Sequence, residues 1–484
     1  MAIILPANTL AASGFSVDNS CRFNGDAYLH KTVGTPTNAD KYTLSVWIKR
    51  SILTSFGPDN AQYIMSYDGG GNPREHIRFN DSTDTLNWYF RDSGGTATNL
   101  TTTQEFRDVS AWYHFVFVYD SGQAVAANRQ TIYCNGAEIT SFSSSGYVAQ
   151  DTDSNLNSNV SVKIGAIGTG SPSVYSSQYL SEVVFLDGQT LAASNFGEYD
   201  EDSPTIWKPK DVSGLTFGDN GFYLDFEASD NLGNDANGGT DWTEVTLAAT
   251  DQSTDSPTNN FCTMNPLANS FDPATFSEGN LSIVTETDGQ SFKTATFGLS
   301  TGKWYWEIFR RGANGHSEIG IAGMPSDAAD DYLGADAFTY AVHSDDGNWF
   351  TNGSGTSWVS AHNSAGTYPD HVCMVALDLD NNKFYFGING TWEDSGDPTS
   401  GATGTGAQSI AAASTTPTGV WFPAISDKHN SYNTTLDMNF GGGAAFGATA
   451  VASANQDADG FGNFEFSVPS GYFSICSKNL AEYG

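Results

Sequence analysis

Apolar residues alternate with polar ones in many short runs of this sequence. In YTLSVWIKR, residues 42–50, the apolar residues Leu44, Val46 and Ile48 occupy every second position. A period of two predicts a β-strand with one buried face, because successive side chains of a strand point to opposite sides. Turn residues separate further runs of this kind, at 86–92, 112–120, 129–139, 163–168, 180–188, 302–309, 317–324, 347–354, 420–426 and 471–480. No long run has the 3.6-residue period of a helix, so the sequence predicts an all-β protein.

A β-hairpin is predicted within LDLDNNKFYFGINGTWEDSG, residues 377–396, which also has the metal-like pattern D-x-D-x-N. An EF-hand loop starting at the first aspartate would need glycine and glutamate at two positions where this chain has Lys383 and Asn389. Apolar residues alternate on both sides of the Asn-Asn pair at 381–382. Because asparagine tolerates positive φ, this pair suits a tight turn. The stretch is interpreted as two strands and a turn, with metal binding as the alternative.

The spacing of the runs divides the chain into four parts. Residues 15–200 and 263–484 are each predicted to form a jelly-roll-type β-sandwich. Residues 201–262 are rich in proline, glycine and asparagine, and they are predicted as an irregular connector over one or both sandwiches, with a strand at 221–226. Residues 1–14 contain a brief apolar run without a basic segment before it. They are interpreted as a docking segment for a partner protein rather than as a signal peptide.

The charge of the chain excludes several classes of partner. The sequence has 20 Lys and Arg residues against 55 Asp and Glu residues, a formal net charge of −35. Such a field repels phosphate backbones and anionic lipid surfaces, so nucleic-acid binding is not expected. No run of 18 apolar residues occurs, so membrane insertion is not expected either. The scattered carboxylates leave Ca²⁺ open as a ligand.

Four motifs occur in order in the first predicted sandwich. They are YTLSVWIK, the pair Trp112 and His114, the turn Tyr-Cys-Asn-Gly at 133–136, and LSEVVFLDG. This order resembles the laminin-G-like branch of the concanavalin A-like jelly rolls. The resemblance implies a framework role for His114 and a calcium ion at one rim of the sandwich, for which Asp68 in SYDGGG is the candidate ligand.

The second predicted sandwich contains a Tyr-Trp-Glu strand, a Gly-Ile-Ala-Gly strand and an Asp-Leu-Asp hairpin that ends in Asn-Gly. Their order resembles that of SPRY domains, so the fold expected for the chain is a concanavalin A-like sandwich followed by a SPRY-like sandwich. The resemblance implies that Asp378 and Asp380 lie on the solvent side of the hairpin. The Gly/Ser/Thr-rich stretch 395–409 departs from the SPRY pattern.

The combination of both sandwiches resembles virion-appendage proteins of tailed bacteriophages. This resemblance implies a virion protein made in the host cytoplasm, with other virion proteins as partners and a homo-oligomer, a trimer, as its assembly. The function it implies is a tail fibre or appendage that recognises a host-surface glycan. A capsid decoration or head fibre is the first alternative, and a polysaccharide depolymerase tailspike is the second.

Catalytic signatures are weak. Polysaccharide hydrolases of the concanavalin type place E-x-D-x-E on one strand, whereas the nearest match here is E-x-D-x-D at 198–202, directly before Ser203-Pro204. Asp225 and Glu227 form a second acidic pair without a third carboxylate at the required spacing. Neither a G-x-S-x-G elbow nor an H-E-x-x-H motif occurs. The sequence therefore favours a protein that is not an enzyme.

Aromatic and polar side chains outside the predicted core are the candidates for glycan contacts. Sugars stack on aromatic rings and bond to polar side chains on rigid scaffolds. Trp88 and Trp304 share strand faces with apolar residues and are assigned to the cores. The candidate ligand-binding residues are Tyr89 and Arg91, on the face opposite Trp88, and Trp349, Trp358 and Trp392, which flank polar or glycine-rich turns.

Overall fold

The structure, a computed structural model, describes residues 14–53, 61–201, 203–269, 271–286, 290–312, 316–326, 331–362, 370–428, 433–447 and 449–484. It contains two compact units that divide between Thr258 and Asn259. Both units are built from sheets that are antiparallel except for the β24–β37 pair, which confirms the predicted all-β, two-sandwich fold. The predicted docking segment 1–14 lies outside the described residues except for Gly14.

The first unit contains strands β1 to β20. Their bounds are Ser20–Asn24, Tyr28–Thr32, Lys41–Arg50, Gln62–Asp68, Arg74–Phe79, Thr85–Arg91, Ala97–Glu105, Trp112–Asp120, Gln130–Cys134, Ala137–Glu138, Phe142–Ser145, Ser161–Ile164, Ala166–Ile167, Val174–Tyr175, Ser177–Asp187, Gly197–Tyr199, Trp207–Pro209, Phe222–Leu224, Thr243–Val245 and Gln252–Ser253.

Two large sheets enclose the core of the first unit. The back sheet has the order β10-β9-β8-β3-β15-β1-β20, with β18 beside β15, and the front sheet has the order β11-β7-β6-β5-β4-β12-β2-β19. Apolar residues at alternate positions of both sheets meet between them. Trp88 of the front sheet, for example, contacts Phe117 of the back sheet edge to face, with 5.7 Å between ring centroids. The alternating residues Leu44, Val46 and Ile48 face this core as predicted, whereas the expectation of a single buried face is wrong for β3, which is buried on both faces.

The segment predicted as a connector contributes strands to the first unit. Strand β18 extends the back sheet at β15, and β19 extends the front sheet at β2. Strand β20 pairs with β1, and β17 pairs with β16 in a separate ribbon. Short apolar runs such as the predicted strand at 221–226 thus supply edge strands. The segment up to Thr258 belongs to this unit.

The second unit contains strands β21 to β37 and the short helix α1, Ser477–Tyr483. The strand bounds are Thr275–Ser277, Ser282–Val284, Lys293–Thr294, Lys303–Arg311, Glu318–Ala322, Thr339–His343, Asn348–Thr351, Ser354–Ser357, His371–Asp378, Lys383–Ile388, Thr391–Trp392, Gln408–Ser409, Phe422–Ser426, Thr435–Asn439, Ala445–Phe446, Thr449–Ala450 and Phe473–Ser474. Short 3₁₀ helices in the two units cover Ala126–Asn128, Ala193–Asn195, Ala249–Asp251, Glu278–Asn280, Glu393–Ser395, Pro398–Thr403 and Ala413–Thr415.

The second unit is also a sandwich of two sheets. Its long sheet has the order β21-β22-β34-β24-β29-β30-β31, with β32 beside β30 and β37 beside β24. Its short sheet has the order β23-β33-β25-β26-β27-β28. The stretch 395–409, which departs from the SPRY sequence pattern, contains a 3₁₀ helix and strand β32. Strand β32 pairs with β30 and so joins this stretch to the long sheet.

The predicted hairpin is formed by β29 and β30. Asn382 at the turn and Asn389 after β30 have φ values of 55° and 47°, the left-handed conformation for which asparagine was expected. Asp380 is exposed, but the expectation that Asp378 lies on the solvent side is wrong, since its side chain is fully buried. Lys303 on the adjacent strand forms an ion pair with Asp378 at 2.9 Å. Pairing with a neighbouring strand, which local periodicity does not encode, buries this carboxylate.

Candidate functional site

Polar side chains form a continuous row across the outer face of the front sheet. Strand pairing fixes this row, because directly paired residues of neighbouring strands point to the same face. The row runs through His30, Lys163, Ser66, His76, Tyr89 and Asn99. The buried face of the same strands carries the apolar core. The outer face is therefore a built polar surface on a rigid sheet.

Three rings lie at the centre of this face. The imidazole of His76 stacks on the ring of Tyr89, with centroids 4.9 Å apart and an angle of 11° between the planes. The ring of Tyr63 meets His76 edge to face at 5.2 Å. A ribbon formed by β13 and β14 packs beside Tyr63 through Ile167 and Val174. The rings thus have one wall beside them and the sheet beneath them.

Three arginines surround the rings, on the same outer face. Arg78 donates to the hydroxyl of Tyr63 at 3.0 Å, and Arg91 donates through Nε to the carbonyl of Gly95 at 3.3 Å. Neither has a carboxylate partner among the described residues. Arg74 is paired with a carboxylate, described below. We call Tyr63, His76, Tyr89, Arg74, Arg78 and Arg91 the front-sheet patch.

Several polar atoms of the patch have unused hydrogen-bonding capacity. His76 is 4% exposed, and neither of its ring nitrogens has a partner among the described residues. Burial, reinforced by the charges of Arg78 and Arg74, holds the pKa of His76 well below its usual value. A neutral imidazole presents one donor and one acceptor. The Nε groups of Arg74 and Arg78 are likewise buried without a hydrogen-bond partner among the described residues.

A cleft adjoins the patch at the β2, β4 and β12 strands. Its volume is about 400 Å³, and its lining includes Tyr28, His30, Asp68 and Lys163. Lys163 donates to the carbonyl of Gly168 at 2.8 Å. The cleft contains a ring, hydrogen-bonding groups and a cation, and it extends the patch toward the edge of the sheet.

A buried carboxylate supports the patch from behind. Glu75 accepts hydrogen bonds from Tyr42 at 3.0 Å, from Trp88 Nε1 at 3.1 Å, from Ser154 at 2.9 Å and from the backbone N–H of Asn155 at 2.7 Å. It neighbours His76 in sequence and points to the opposite face of β5. Burial raises the pKa of Glu75. This network fixes β5 and β6, and it had no signal in the sequence because its donors come from three separate segments.

Two of the predicted ligand-binding residues belong to the patch. Tyr89 and Arg91 lie on the face opposite the fully buried Trp88, where the sequence placed them. Sequence reasoning did not identify His76 and Arg78. The signal that could have identified them is the alternation within REHIRF, residues 74–79. Arg74, His76 and Arg78 occupy every second position, and the intervening Glu75 and Ile77 are buried on the other face.

Trp349, Trp358 and Trp392 belong to the second unit and are less accessible than expected. Trp349 is only 5% exposed, so its assignment as an exposed residue is wrong. Its ring packs between the two sheets, 5.1 Å from Phe384 of the long sheet, and it stacks on Tyr340. Trp358 and Trp392 are half-buried.

The stretch 395–409 partly covers Trp358, because the indole Nε1 donates to the carbonyl of Gly406 at 3.3 Å. Trp392 packs partly against a separate aromatic cluster that includes Tyr305. These three tryptophans therefore pack against other groups of the second unit.

Asp68 is engaged by protein groups. Its carboxylate forms an ion pair with Arg74 at 2.7 Å and accepts the backbone N–H of Gly70 at 3.0 Å. An arginine in contact with the carboxylate disfavours a divalent cation at the same oxygens. Two clusters of metal-ligating side chains occur in the described part of the chain, and neither includes Asp68. They are His362 with His371 and Cys373, and His343 with Asp345 and Asp346.

The acidic stretch at 198–202 forms structural contacts. Asp200 is mostly buried and pairs with Lys208 at 3.1 Å, across the β16–β17 ribbon. Asp225 accepts the backbone N–H of Glu227. Asp202 lies outside the described residues, and neither Asp200 nor Asp225 lines the cleft beside the patch. In the ranges that the structure covers, no helix has the length and apolar character of a membrane span.

Part of the first unit matches a known family model. Residues 23–173 match the family model Laminin_G_3, described as the concanavalin A-like lectin/glucanases superfamily. The first unit has a concanavalin A-like lectin fold. The matched range contains most of the lectin-like unit and all six residues of the patch. This match supports the laminin-G-like resemblance; three of its four motifs lie within residues 23–173, and LSEVVFLDG follows them at 180–188.

Solved structures of both expected kinds are similar to the chain. The SPRY domain of human HERC1 is 16% identical, with 36% of this chain and 96% of that chain covered and a TM-score of 0.26. Domains LG4-5 of the mouse laminin α1 chain are 9% identical, with 89% and 90% covered and a TM-score of 0.29. A heptameric SAP-like pentraxin from Limulus polyphemus is 18% identical, with 36% and 78% covered and a TM-score of 0.27. No curated protein sequence matches the chain.

Proposed function

We propose that the lectin-like unit binds glycans through the front-sheet patch, and that the protein serves a bacteriophage as a tail fibre or appendage for host-surface recognition. One observation carries the proposal: the stacked pair of His76 and Tyr89 lies among three arginines on the outer face of a rigid sheet. Sugar rings offer C–H faces for aromatic rings and hydroxyls for polar groups. The patch supplies both within one surface.

The charges of the patch favour an acidic glycan. The chain as a whole is strongly acidic, yet Arg78, Arg91 and Lys163 lie together on this face. Arginine binds carboxylate and sulfate groups through paired N–H donors. A sugar that carries such groups would be attracted to the patch and repelled by most of the remaining surface. The proposed ligand class is therefore a polysaccharide that contains uronate or sulfate groups.

We propose binding without catalysis. The carboxylates with a hydrolase-like spacing pair with lysine or with backbone groups rather than facing a cleft. The cleft beside the patch contains one carboxylate, Asp68, which Arg74 neutralises. Glycoside hydrolysis in its usual form requires two carboxylates on opposite sides of the bond that is cleaved. This arrangement supports a receptor-binding role over a depolymerase.

The virion setting rests on the order of motifs in the sequence, in which a laminin-G-like segment precedes a SPRY-like one. A location in the virion, and partners among other virion proteins, follow from that resemblance. Immunogold labelling of particles with an antibody to this chain distinguishes a tail position from a capsid position. Labelling of capsids alone would favour the decoration or head-fibre alternative.

The decisive test is binding of the labelled full chain to arrays of acidic and neutral polysaccharides and to candidate host cells. We expect saturable binding to acidic polysaccharides, and a marked loss of binding in Tyr89→Ala. The matched control is Tyr199→Ala, which removes a tyrosine that is 48% exposed in the same unit and lies outside the patch. Equal binding by wild type and Tyr89→Ala, or no binding by the folded wild type, would overturn the proposal.

A further inference from the structure

Three side chains with metal-binding chemistry converge inside the second unit. His371 and Cys373 lie two residues apart on β29, and therefore on the same face of the strand. His362 comes from the preceding segment. One ligand atom from each residue lies within 4.8 Å of the other two. The two imidazole rings are nearly perpendicular, at 89°, with 5.4 Å between centroids.

The composition of this cluster suits a borderline divalent cation. Imidazole nitrogen and cysteine sulfur are preferred ligands of zinc, at distances of about 2.1 and 2.3 Å. Ligand atoms of a tetrahedral zinc ion are therefore about 3.5 Å apart. An upper bound of 4.8 Å means that small side-chain rotations bring the three atoms to a shared ion.

His362 has the orientation of a metal ligand. It is fully buried, and its Nδ1 lies 3.3 Å from the carbonyl of Ser360. Because a carbonyl oxygen only accepts, Nδ1 carries the proton and Nε2 carries the lone pair. Nε2 has no hydrogen-bond partner among the described residues. A ligating histidine commonly donates its second nitrogen to a carbonyl in this way, which fixes the tautomer and the ring.

We propose that His362, His371 and Cys373 form a zinc site in the second unit. The site links β29 to the segment that contains His362. Its role is structural, since metal ligation of residues from two segments stabilises the folded state. All three residues are buried, so the ion is enclosed by the protein.

Binding of zinc at this cluster requires the release of one proton. Zinc binds cysteine as the thiolate, so the ion displaces the thiol proton of Cys373 to solvent, as in other cysteine sites.

Among the described residues, Arg310 is a cation close to the cluster. It is paired with His371 across the β24 and β29 strands. Its Nε donates to the hydroxyl of Ser317 at 3.0 Å, and its NH1 donates to the carbonyl of Gly312 at 2.7 Å. These bonds direct its donors to other groups. The positive charge of Arg310 repels a divalent cation at the cluster, but the same charge stabilises the thiolate form of Cys373.

The test measures the zinc content of the full chain produced in zinc-supplemented medium and washed free of loose metal. We expect one equivalent of zinc in the wild type and a loss of at least tenfold in Cys373→Ala. Cys476→Ala is the matched control, because Cys476 is also fully buried in the second unit and lies outside the cluster. Circular dichroism verifies that each variant is folded.

Cobalt provides a readout that needs no variant. Refolding of the wild type with Co²⁺ is expected to give the near-ultraviolet charge-transfer band of a thiolate–cobalt bond. A wild type that holds no zinc and gives no such band after refolding would overturn the proposal. Zinc retained by Cys373→Ala but lost on His343→Ala would also overturn it, because the ion would then occupy the other cluster. Should Cys373→Ala not fold, the cobalt band and the zinc content of His362→Gln decide.

Discussion

The imidazole of His76 lies flat against the phenol ring of Tyr89, with 4.9 Å between the ring centroids. The two residues are paired across adjacent strands, thirteen positions apart in the sequence. Their outward faces belong to a sheet whose other side is fully packed. Because cross-strand pairing holds both rings in one geometry, little side-chain entropy remains to be lost when a ligand stacks on them.

Replacement of Tyr89 by alanine is expected to weaken glycan binding by roughly two- to tenfold. A stacked aromatic contact contributes about 0.5–1.5 kcal/mol beyond the area it buries, and 1.4 kcal/mol corresponds to tenfold. Isothermal titration with the best acidic polysaccharide measures the effect. Since Tyr89 is half-buried on the outer face, the melting temperature of the variant should remain near that of the wild type. A large drop in melting temperature with unchanged affinity would contradict the assignment.

Glycan binding is expected to weaken as salt concentration rises, and Arg78→Gln should reduce both the affinity and its salt dependence. Opposite charges at a partly exposed surface are screened over about 8 Å at physiological ionic strength. Affinity measured at several sodium chloride concentrations tests this. Arg129→Gln is the control, since Arg129 lies in the same unit and its guanidinium bonds to backbone carbonyls of a loop. Equal salt slopes for the wild type and Arg78→Gln would argue against an acidic ligand.

Glu75→Gln is expected to destabilise the lectin-like unit by about 1–3 kcal/mol. Both oxygens of the Glu75 carboxylate accept hydrogen bonds. In glutamine an amide NH₂ replaces one of these oxygens, so it would face N–H or O–H donors with which it cannot form hydrogen bonds. Urea unfolding measures the change. Glu138→Gln, at an exposed position of β10, has the same change of charge and should alter stability by no more than a few tenths of a kcal/mol. Similar effects of the two substitutions would refute the supporting role of Glu75.

The second unit is expected to lose stability as the pH rises from about 4.5 to about 8. Burial raises the pKa of Glu318 from 4.5 to about 8, so the folded state retains a proton that the unfolded state releases. Stability falls with pH wherever the folded state binds more protons, so this contribution is complete below 4.5 and is lost by about 8. Unfolding curves across this range measure the slope.

Glu318→Gln should flatten that slope, because glutamine resembles the protonated acid and can still accept from Ser426. Glu482→Gln is the control for the change in net charge, since Glu482 is exposed. An unchanged slope in Glu318→Gln would show that another group governs the pH dependence. Glu307, whose pKa burial raises to about 7, is the next group to test.

Local pattern was sufficient for two of the six residues of the front-sheet patch, Tyr89 and Arg91. A period of two within LNWYFR places Trp88 in the core and Tyr89 outside, and both positions are as predicted. Sequence reasoning failed at Trp349. It predicted an exposed ring because polar turn residues flank the short strand β27, whereas the ring is buried. Its burial depends on the facing sheet and on the stretch that contains Trp358, and neither is encoded within the strand itself.

The sequence by itself determined the strands, their buried faces and the hairpin turn at Asn382, because these follow from side-chain alternation and backbone preference over a few residues. The tertiary structure decided which outward residues meet. Strand register brings His76 against Tyr89, ion pairing buries Asp378, and the packing of two segments brings His362 to Cys373. Such contacts depend on residues far apart in the chain, so only the folded arrangement of strands specifies them.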